Sequence, residues 1–483
     1  MRSETNRWLV LVLVCIAQFM VILDATIVNV ALPSIQHGLH FSATSLQWIV
    51  NAYALVFGGF LLLGGRASDL LGRQRLFIAG VAVFTIASLI NGIATSSGML
   101  IGGRALQGLG AALVSPAALS IVTTTFAEGR ERTKALGIWS AIAAGGGAFG
   151  LIIGGLLTET LSWRWVFFVN LPIGIAAALL SLRFIPNTRS EEKPETADVA
   201  GAVTVTGGLL LLVYAIVKAQ SYGWGDVKTI GLFAAAIALL AAFVAVELRS
   251  KSPLIRLGIF RLRSLTSSNL SMLLVASGMF SMFYFASIYV QEILGYHPLK
   301  AGFAFLPFTF GIVIGAGAAQ SLIGRLGIRV VTAAGLTIAT IGLALFTQVS
   351  VTGTYWSEIF PGVAVMSIGM GLTFVPLTLL ATTNVQNEDA GLASGIFNTS
   401  QQIGGALGLA VLSTLAASRT SSLTKDGVSG PEALTRGFHV AFAVGAAFLA
   451  AGLVVLLLGI RKRHVESIDS TVEDGDLVAE LAA

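Results

Sequence analysis

Charge is what this sequence has least of. Asp, Glu, Lys and Arg make up 11% of its 483 residues, against 55% hydrophobic, whereas soluble globular domains carry about 25% charged residues. So few charges cannot cover a water-facing surface, and the apolar side chains must face lipid. The one cysteine, Cys15, lies in the first apolar run, which excludes an internal disulfide and a cysteine-based metal site. Five histidines are scattered without metal-ligand spacing, and there is no P-loop, no Ser/His/Asp grouping and no zinc spacing. ATP-driven transport, hydrolysis and a bound cofactor or metal are therefore not expected. The excess of basic over acidic residues sits in short clusters, so nucleic acid is not an expected partner. The first apolar run is too long for a cleaved signal peptide and lacks an A-x-A site.

What is present is a series of apolar runs of the length that crosses a bilayer as a helix. Fourteen are expected, near 8–31, 46–65, 75–94, 99–121, 135–157, 164–183, 199–218, 229–247, 268–291, 300–322, 328–348, 357–382, 392–416 and 438–460. With the N-terminus inside, twenty-one of the 29 Lys and Arg residues fall on the cytoplasmic side, seven fall outside, and only Arg104 lies within a span. By the positive-inside rule both termini are cytoplasmic, in the cell membrane. Trp8, Trp163, Trp165, Trp224 and Trp356 sit at span ends as expected interfacial anchors.

The order of the runs shows a weak repeat. Asp69-Leu-Leu-Gly72-Arg73 follows span 2 and Gly324-Arg325-Leu-Gly327 follows span 10. Aligning the two Leu-Gly pairs lays spans 1–6 over spans 9–14 and leaves spans 7 and 8 as an insertion. The expected division is an N-terminal six-helix bundle over 1–186, a cytoplasmic linker with the inserted spans over 187–260, a C-terminal six-helix bundle over 261–463, and an acidic, disordered cytoplasmic tail over 464–483. Repeats of this kind mark secondary transporters, with the site near the midplane between the halves.

Four segments carry polar or glycine-rich patterns at odds with a plain lipid-facing helix. Span 1 closes with Leu23-Asp24-Ala-Thr-Ile-Val-Asn29-Val-Ala-Leu-Pro33. A carboxylate inside the bilayer is costly enough that Asp24 calls for a function or a partner. The loop after span 2 reads Gly65-Arg66-Ala-Ser-Asp69-Leu-Leu-Gly72-Arg73-Gln-Arg75. Span 4 holds Leu100-Ile-Gly-Gly-Arg104-Ala-Leu-Gln107-Gly108-Leu-Gly110, and the 3.6 period puts Arg104, Gln107, Ala111 and Ser115 on one face. Span 5 contains Gly146-Gly-Ala-Phe-Gly150-Leu-Ile-Ile-Gly154-Gly155, glycines spaced to form a groove for a neighbouring helix. Counting 1.5 Å per residue places Asp24 about 14 Å and Arg104 about 10 Å below the outer ends of their spans, at comparable depth.

These segments, with Trp163-Arg164-Trp165-Val-Phe-Phe-Val-Asn170-Leu-Pro172 and Gly391-Leu-Ala-Ser-Gly395, resemble the fourteen-span drug:proton antiporters of the major facilitator superfamily. The resemblance implies an all-α fold of two six-helix bundles plus two inserted helices. It also implies a monomer that uses the proton gradient to export small amphipathic or cationic drugs. Asp24 and Arg104 would couple protons, and Gly65, Asp69, Gly72 and Arg73 would form the gating loop. Gly146, Gly150, Gly154 and Gly155 would form the antiporter motif, with Leu151 where the family's pattern has a proline. A substrate surface is expected from Gln47, Asn51 and Gly58 on one face of span 2, with Tyr53 and Gln107, facing Tyr284 and Tyr289 in span 9 and Asn398, Gln401 and Gln402 in span 13. Export of an endogenous metabolite or self-made antibiotic is the competing function. A receptor or intramembrane enzyme would need a sensor domain or catalytic cluster that the sequence lacks.

Overall fold

The computed structural model describes residues 7–126, 130–185, 198–250, 252–382, 385 and 390–460. The expected linker, apart from Asp198, and the acidic tail lie outside the described residues. Among the described residues there are helices and no strands. In chain order these are α1 (Arg7–Leu39), α2 (Ala43–Leu46), α3 (Trp48–Leu71), α4 (Arg73–Gly92), α5 (Ser97–Thr125), α6 (Arg130–Thr160), α7 (Trp165–Phe168), α8 (Asn170–Phe184), α9 (Val199–Tyr222) and α10 (Val227–Arg249). They continue with α11 (Arg263–Ile288), α12 (Pro298–Ala304), α13 (Leu306–Leu326), α14 (Ile328–Leu345), α15 (Phe360–Thr382), α16 (Ala390–Lys425) and α17 (Gly430–Gly459). Among the described residues, thirteen helical segments are long and apolar enough to cross a membrane, with α7–α8 and α12–α13 each counted as one. The helix at expected span 5, α6, is not among the thirteen; several of its side chains lie outside the described residues.

Glycine sets the joints that the repeat pointed to. Gly72 ends α3 with φ 97° and Gly327 ends α13 with φ 78°. Positive φ strains any side chain, so glycine allows the chain to reverse in one residue at the membrane surface. The aligned Leu-Gly pairs thus make the same joint in both halves.

Proline acts differently from the sequence expectation. Span 1 was expected to end near Pro33, but α1 runs on to Leu39. Pro33 has no N–H to give to the carbonyl of Asn29, four residues back. That carbonyl is taken instead by the second half, where Ser287 Oγ donates to Asn29 O at 2.8 Å and Gln291 Nε2 donates to Val30 O at 3.0 Å. The freed backbone acceptor is satisfied inside the protein, as lipid requires, and it joins the halves near the C-terminal end of α1. Two more links lie close by: His37 Nε2 sits 3.1 Å from Glu292 Oε1, and Leu299 N donates to Glu159 Oε2 at 3.0 Å.

The inserted α9 and α10 pack on each other, and α9 also lies against α3 and α16, one helix from each half. α10 keeps an outward apolar face, with Ile237 and Leu248 exposed. α16 and α17 run past the expected 416 and 438 limits to meet at Asp426–Ser429. Apolar runs locate the membrane-embedded part of a helix, whereas the polar 417–425 segment remains helical beyond it. One expected anchor is also reassigned. Trp163 is 8% exposed and lies beneath Gly38 at the end of α1, while Trp8, Trp165, Trp224 and Trp356 are exposed.

Candidate proton-coupling site

Asp24 is 0% exposed and is held by three side chains of the first half. Its Oδ2 pairs with Arg104 Nη1, and its Oδ1 accepts from Gln107 Nε2 at 2.7 Å and from Asn170 Nδ2 at 3.0 Å. Arg104, 1% exposed, also donates through Nε to Ile49 O at 2.9 Å and through Nη1 to Gln107 Oε1 at 2.8 Å. The Tyr53 ring lies 4.4 Å from the guanidinium carbon, a cation–π contact that offsets part of the cost of burying the charge. Ser88 Oγ takes the second proton of Gln107 Nε2 at 2.8 Å, and Asn91 Nδ2 donates to Gln107 Oε1 at 2.8 Å. Five helices, α1, α3, α4, α5 and α8, therefore meet at one buried ion pair and its hydrogen-bond network.

The donor count gives this arrangement its chemistry. An ionised carboxylate only accepts hydrogen bonds, and a protonated one must donate one. Every side chain that reaches Asp24 does so through an N–H. A proton on Asp24 would put an O–H among these donors, so this packing of α1 against α5 and α8 favours the ionised carboxylate.

The glycine motif stands behind the same stretch of α1. A Cβ at Gly146 would lie 3.0 Å from the Ile22 side chain, one at Gly150 3.0 Å from Leu23 O, and one at Gly154 2.7 Å from Ile27 O. Gly155 faces the other half, where a Cβ would lie 2.6 Å from Pro298 O at the start of α12. The groove seats α1 beside Asp24 and continues onto the second half. α6 carries no proline, in keeping with Leu151 at the family's proline position.

Other expected residues are placed apart from this network. Gln47 and Asn51 are buried and bond to each other, Asn51 Nδ2 to Gln47 Oε1 at 3.3 Å. Tyr289 does not face α3; its hydroxyl donates to Ser350 O and Glu358 Oε2, both at 2.7 Å, within the second half. Tyr284 is buried edge-on against Phe285. Asn398 is exposed and bonds its own helix at Ser394 O. Gln402, expected on the same surface, packs on Gly58 of α3, and Thr399 Oγ1 donates to Gly58 O at 3.2 Å. Helical period identifies a face but not the helix opposite it. Gln401 is half-buried on the same helix. In the expected gating loop, Gly65 lies within α3, Gly72 forms the joint and Arg73 opens α4; the Asp69 side chain lies outside the described residues.

Asn170, Ser88 and Asn91 are the members that sequence reasoning did not assign to the site. Their signal is a polar side chain within an apolar run, partly hidden for Asn170 by the break between α7 and α8. Asn170→Ala removes one of the bonds to Asp24. A hydrogen bond to a charged group is worth about 1.5–3 kcal/mol, so export in proteoliposomes should fall by about tenfold or more. An unchanged rate at equal reconstitution would leave Asn170 as packing only.

Comparison with known proteins now bears on the family. The sequence model described as Major Facilitator Superfamily matches residues 14–409. The chain is 40% identical over 477 residues to the puromycin resistance protein pur8 of Streptomyces alboniger, covering 97% of this chain and 94% of that one. This chain belongs to the major facilitator superfamily. It is also 41% identical over 449 residues to the cephamycin export protein CmcT of Amycolatopsis lactamdurans, covering 92% and 91% of the two chains. The multidrug resistance protein Stp of Mycobacterium tuberculosis is 35% identical over 421 residues, covering 86% of this chain and 78% of that one. In fold it resembles a bacterial homologue of the human lysosomal transporter Spinster, with TM-score 0.66, 17% identity and coverage of 96% and 98%. It also resembles the POT family transporter PepTSo, with TM-score 0.68, 14% identity and coverage of 95% and 99%. The superfamily facilitator is a multi-span, non-enzymatic membrane transporter of small molecules.

Proposed function

We propose that this protein is a proton-coupled antiporter that exports small amphipathic or cationic antibiotics across the cytoplasmic membrane. The observation that carries the reading is the buried Asp24–Arg104 pair, closed by N–H donors from three side chains on α5 and α8. The resistance and export proteins to which the chain is similar supply the substrate class. Asp24 takes a proton from the outer side, loses its donor set and frees α1 from α5 and α8; a cationic substrate from inside competes for the same carboxylate. One proton moving down 100 mV yields about 2.3 kcal/mol, which drives the cycle without a cofactor.

On this reading the chain acts as a monomer with both termini cytoplasmic. α6 crosses the membrane as well, giving two six-helix bundles and an inserted pair in fourteen spans. The test uses everted membrane vesicles with a fluorescent cationic dye added to the external medium. ATP-independent dye uptake is expected on acidifying the lumen, collapsing with a protonophore, and added protease should remove a tag at the C-terminus. No gradient-dependent uptake would refute antiport; a protected tag would refute the topology.

A second reading, a dedicated exporter of one self-made antibiotic, is favoured by relatives named for a single compound, such as cephamycin. A deletion strain tested against a compound panel separates them: sensitivity to several unrelated compounds supports broad export, and sensitivity to one supports the dedicated exporter.

A further inference from the structure

The inserted hairpin holds two acids that the transport cycle does not use. Asp198 caps α9, its Oδ1 accepting from Gly201 N at 2.7 Å. Glu247 lies in the last turns of α10, and its Oε2 accepts from Ile255 N at 2.9 Å, tying down the segment that follows. α9 and α10 are antiparallel neighbours, so these two helix ends meet at one end of the hairpin. Asp198 is 9% exposed and Glu247 4%. Each spends one oxygen on a backbone N–H. The other oxygen of each, Asp198 Oδ2 and Glu247 Oε1, is buried and has no hydrogen-bond partner.

The two carboxylates converge on a residue without a side chain. An atom in place of the missing Cβ of Gly201 would lie 2.5 Å from Glu247 Oε1 and 3.2 Å from Asp198 Oδ1. Two like charges brought together out of water repel, and each has lost hydration. A cation between the two unpartnered oxygens removes both costs. Hard divalent cations take oxygen ligands, and Mg²⁺ in particular is held by one or two carboxylates with water completing its shell.

We propose that this end of the inserted hairpin binds a single divalent cation of the Mg²⁺ type between Asp198 Oδ2 and Glu247 Oε1. The ion ties the first turn of α9 to the end of α10 and so fixes how the inserted pair joins the second half. The site does not depend on what the protein transports.

The test is Mn²⁺ binding to the full-length chain, purified in detergent and freed of metal with a chelator, read by loss of the free-ion electron paramagnetic resonance signal. A tight Mn²⁺ equivalent displaced by Mg²⁺ is expected. Asp198→Asn and Glu247→Gln should each weaken it by about tenfold or more. Both substitutions keep an oxygen for the backbone bond, and asparagine remains a good helix cap, so folding should survive them. The six acids of the 464–483 segment contribute equally to all three proteins. Binding that is equal in wild type and both variants, or absent in wild type, overturns the proposal; a proton shared by the two acids would give the latter. Should neither variant fold, a wild-type melting temperature raised by Mg²⁺ supports the site, and one that does not move overturns it.

Discussion

Replacing Asp24 with asparagine is expected to abolish proton-driven export while leaving the protein folded and inserted. The side chain keeps its size but cannot titrate, so no proton is carried. It also brings an amide N–H₂ into a place where Arg104, Gln107 and Asn170 all offer donors. Removing one partner of a buried ion pair costs about 3–5 kcal/mol. Part of that is offset because Arg104 keeps Ile49 O, Gln107 Oε1 and the Tyr53 ring. Arg104→Lys should fail as well, since a single ammonium cannot reproduce the fork that reaches Ile49 O, Gln107 and Asp24 together. The deciding measurement is proton release on adding substrate to purified protein in detergent. Wild-type release from Asp24→Asn would place the carrier elsewhere, with Glu292, paired to His37 at the outer link between the halves, as the next acid to replace.

Much of this site was legible in the sequence because lipid makes polar residues conspicuous. Asp24 and Arg104 stand out as lone charges within apolar runs, and counting the helical rise puts them at comparable depth; the structure puts them in contact. The count succeeded although the end of α1 was misplaced. Proline reads as a stop, but a transmembrane helix continues through it when another segment takes the freed carbonyl, as Ser287 does at Asn29. Asn170 was present in a quoted motif yet carried no periodic signal, since the helix breaks at Val169 just before it. Tyr289 and Asn398 show the opposite failure. Both were expected to face span 2, but Tyr289 bonds Glu358 and Asn398 bonds its own helix, while Gln402 of the expected surface does pack on Gly58 of α3. Asp198 and Glu247 sit at span ends, where charges are ordinary, and only the structure reveals that each has a buried oxygen without a partner and that the two carboxylates flank Gly201.

Filling the groove at Gly150 should uncouple the site from behind. Any side chain there meets Leu23 O, since even a Cβ would fall 3.0 Å from that backbone oxygen and closer still to Thr26. Gly150→Leu adds four carbons at this point. α1 cannot simply back away, because Asp24, on a different face of the same turn, is held by Arg104, Gln107 and Asn170. Overpacking of a well-filled interior costs about 1–3 kcal/mol when side chains can yield; here the obstacles are the Thr26 side chain, whose hydroxyl bonds its own helix, and the Leu23 carbonyl, so the strain passes to α1 and to the ion pair. Membrane insertion depends on apolar length and should persist. Export should fall by about a hundredfold, which corresponds to about 2.7 kcal/mol of lost stabilisation. Gly147 is the control within the same helix: a Cβ there meets nothing within 4 Å, so Gly147→Leu should transport like wild type. Equal transport by both variants, measured in proteoliposomes at matched protein content, would mean that the glycines do not seat α1 and that α6 acts only as a membrane anchor.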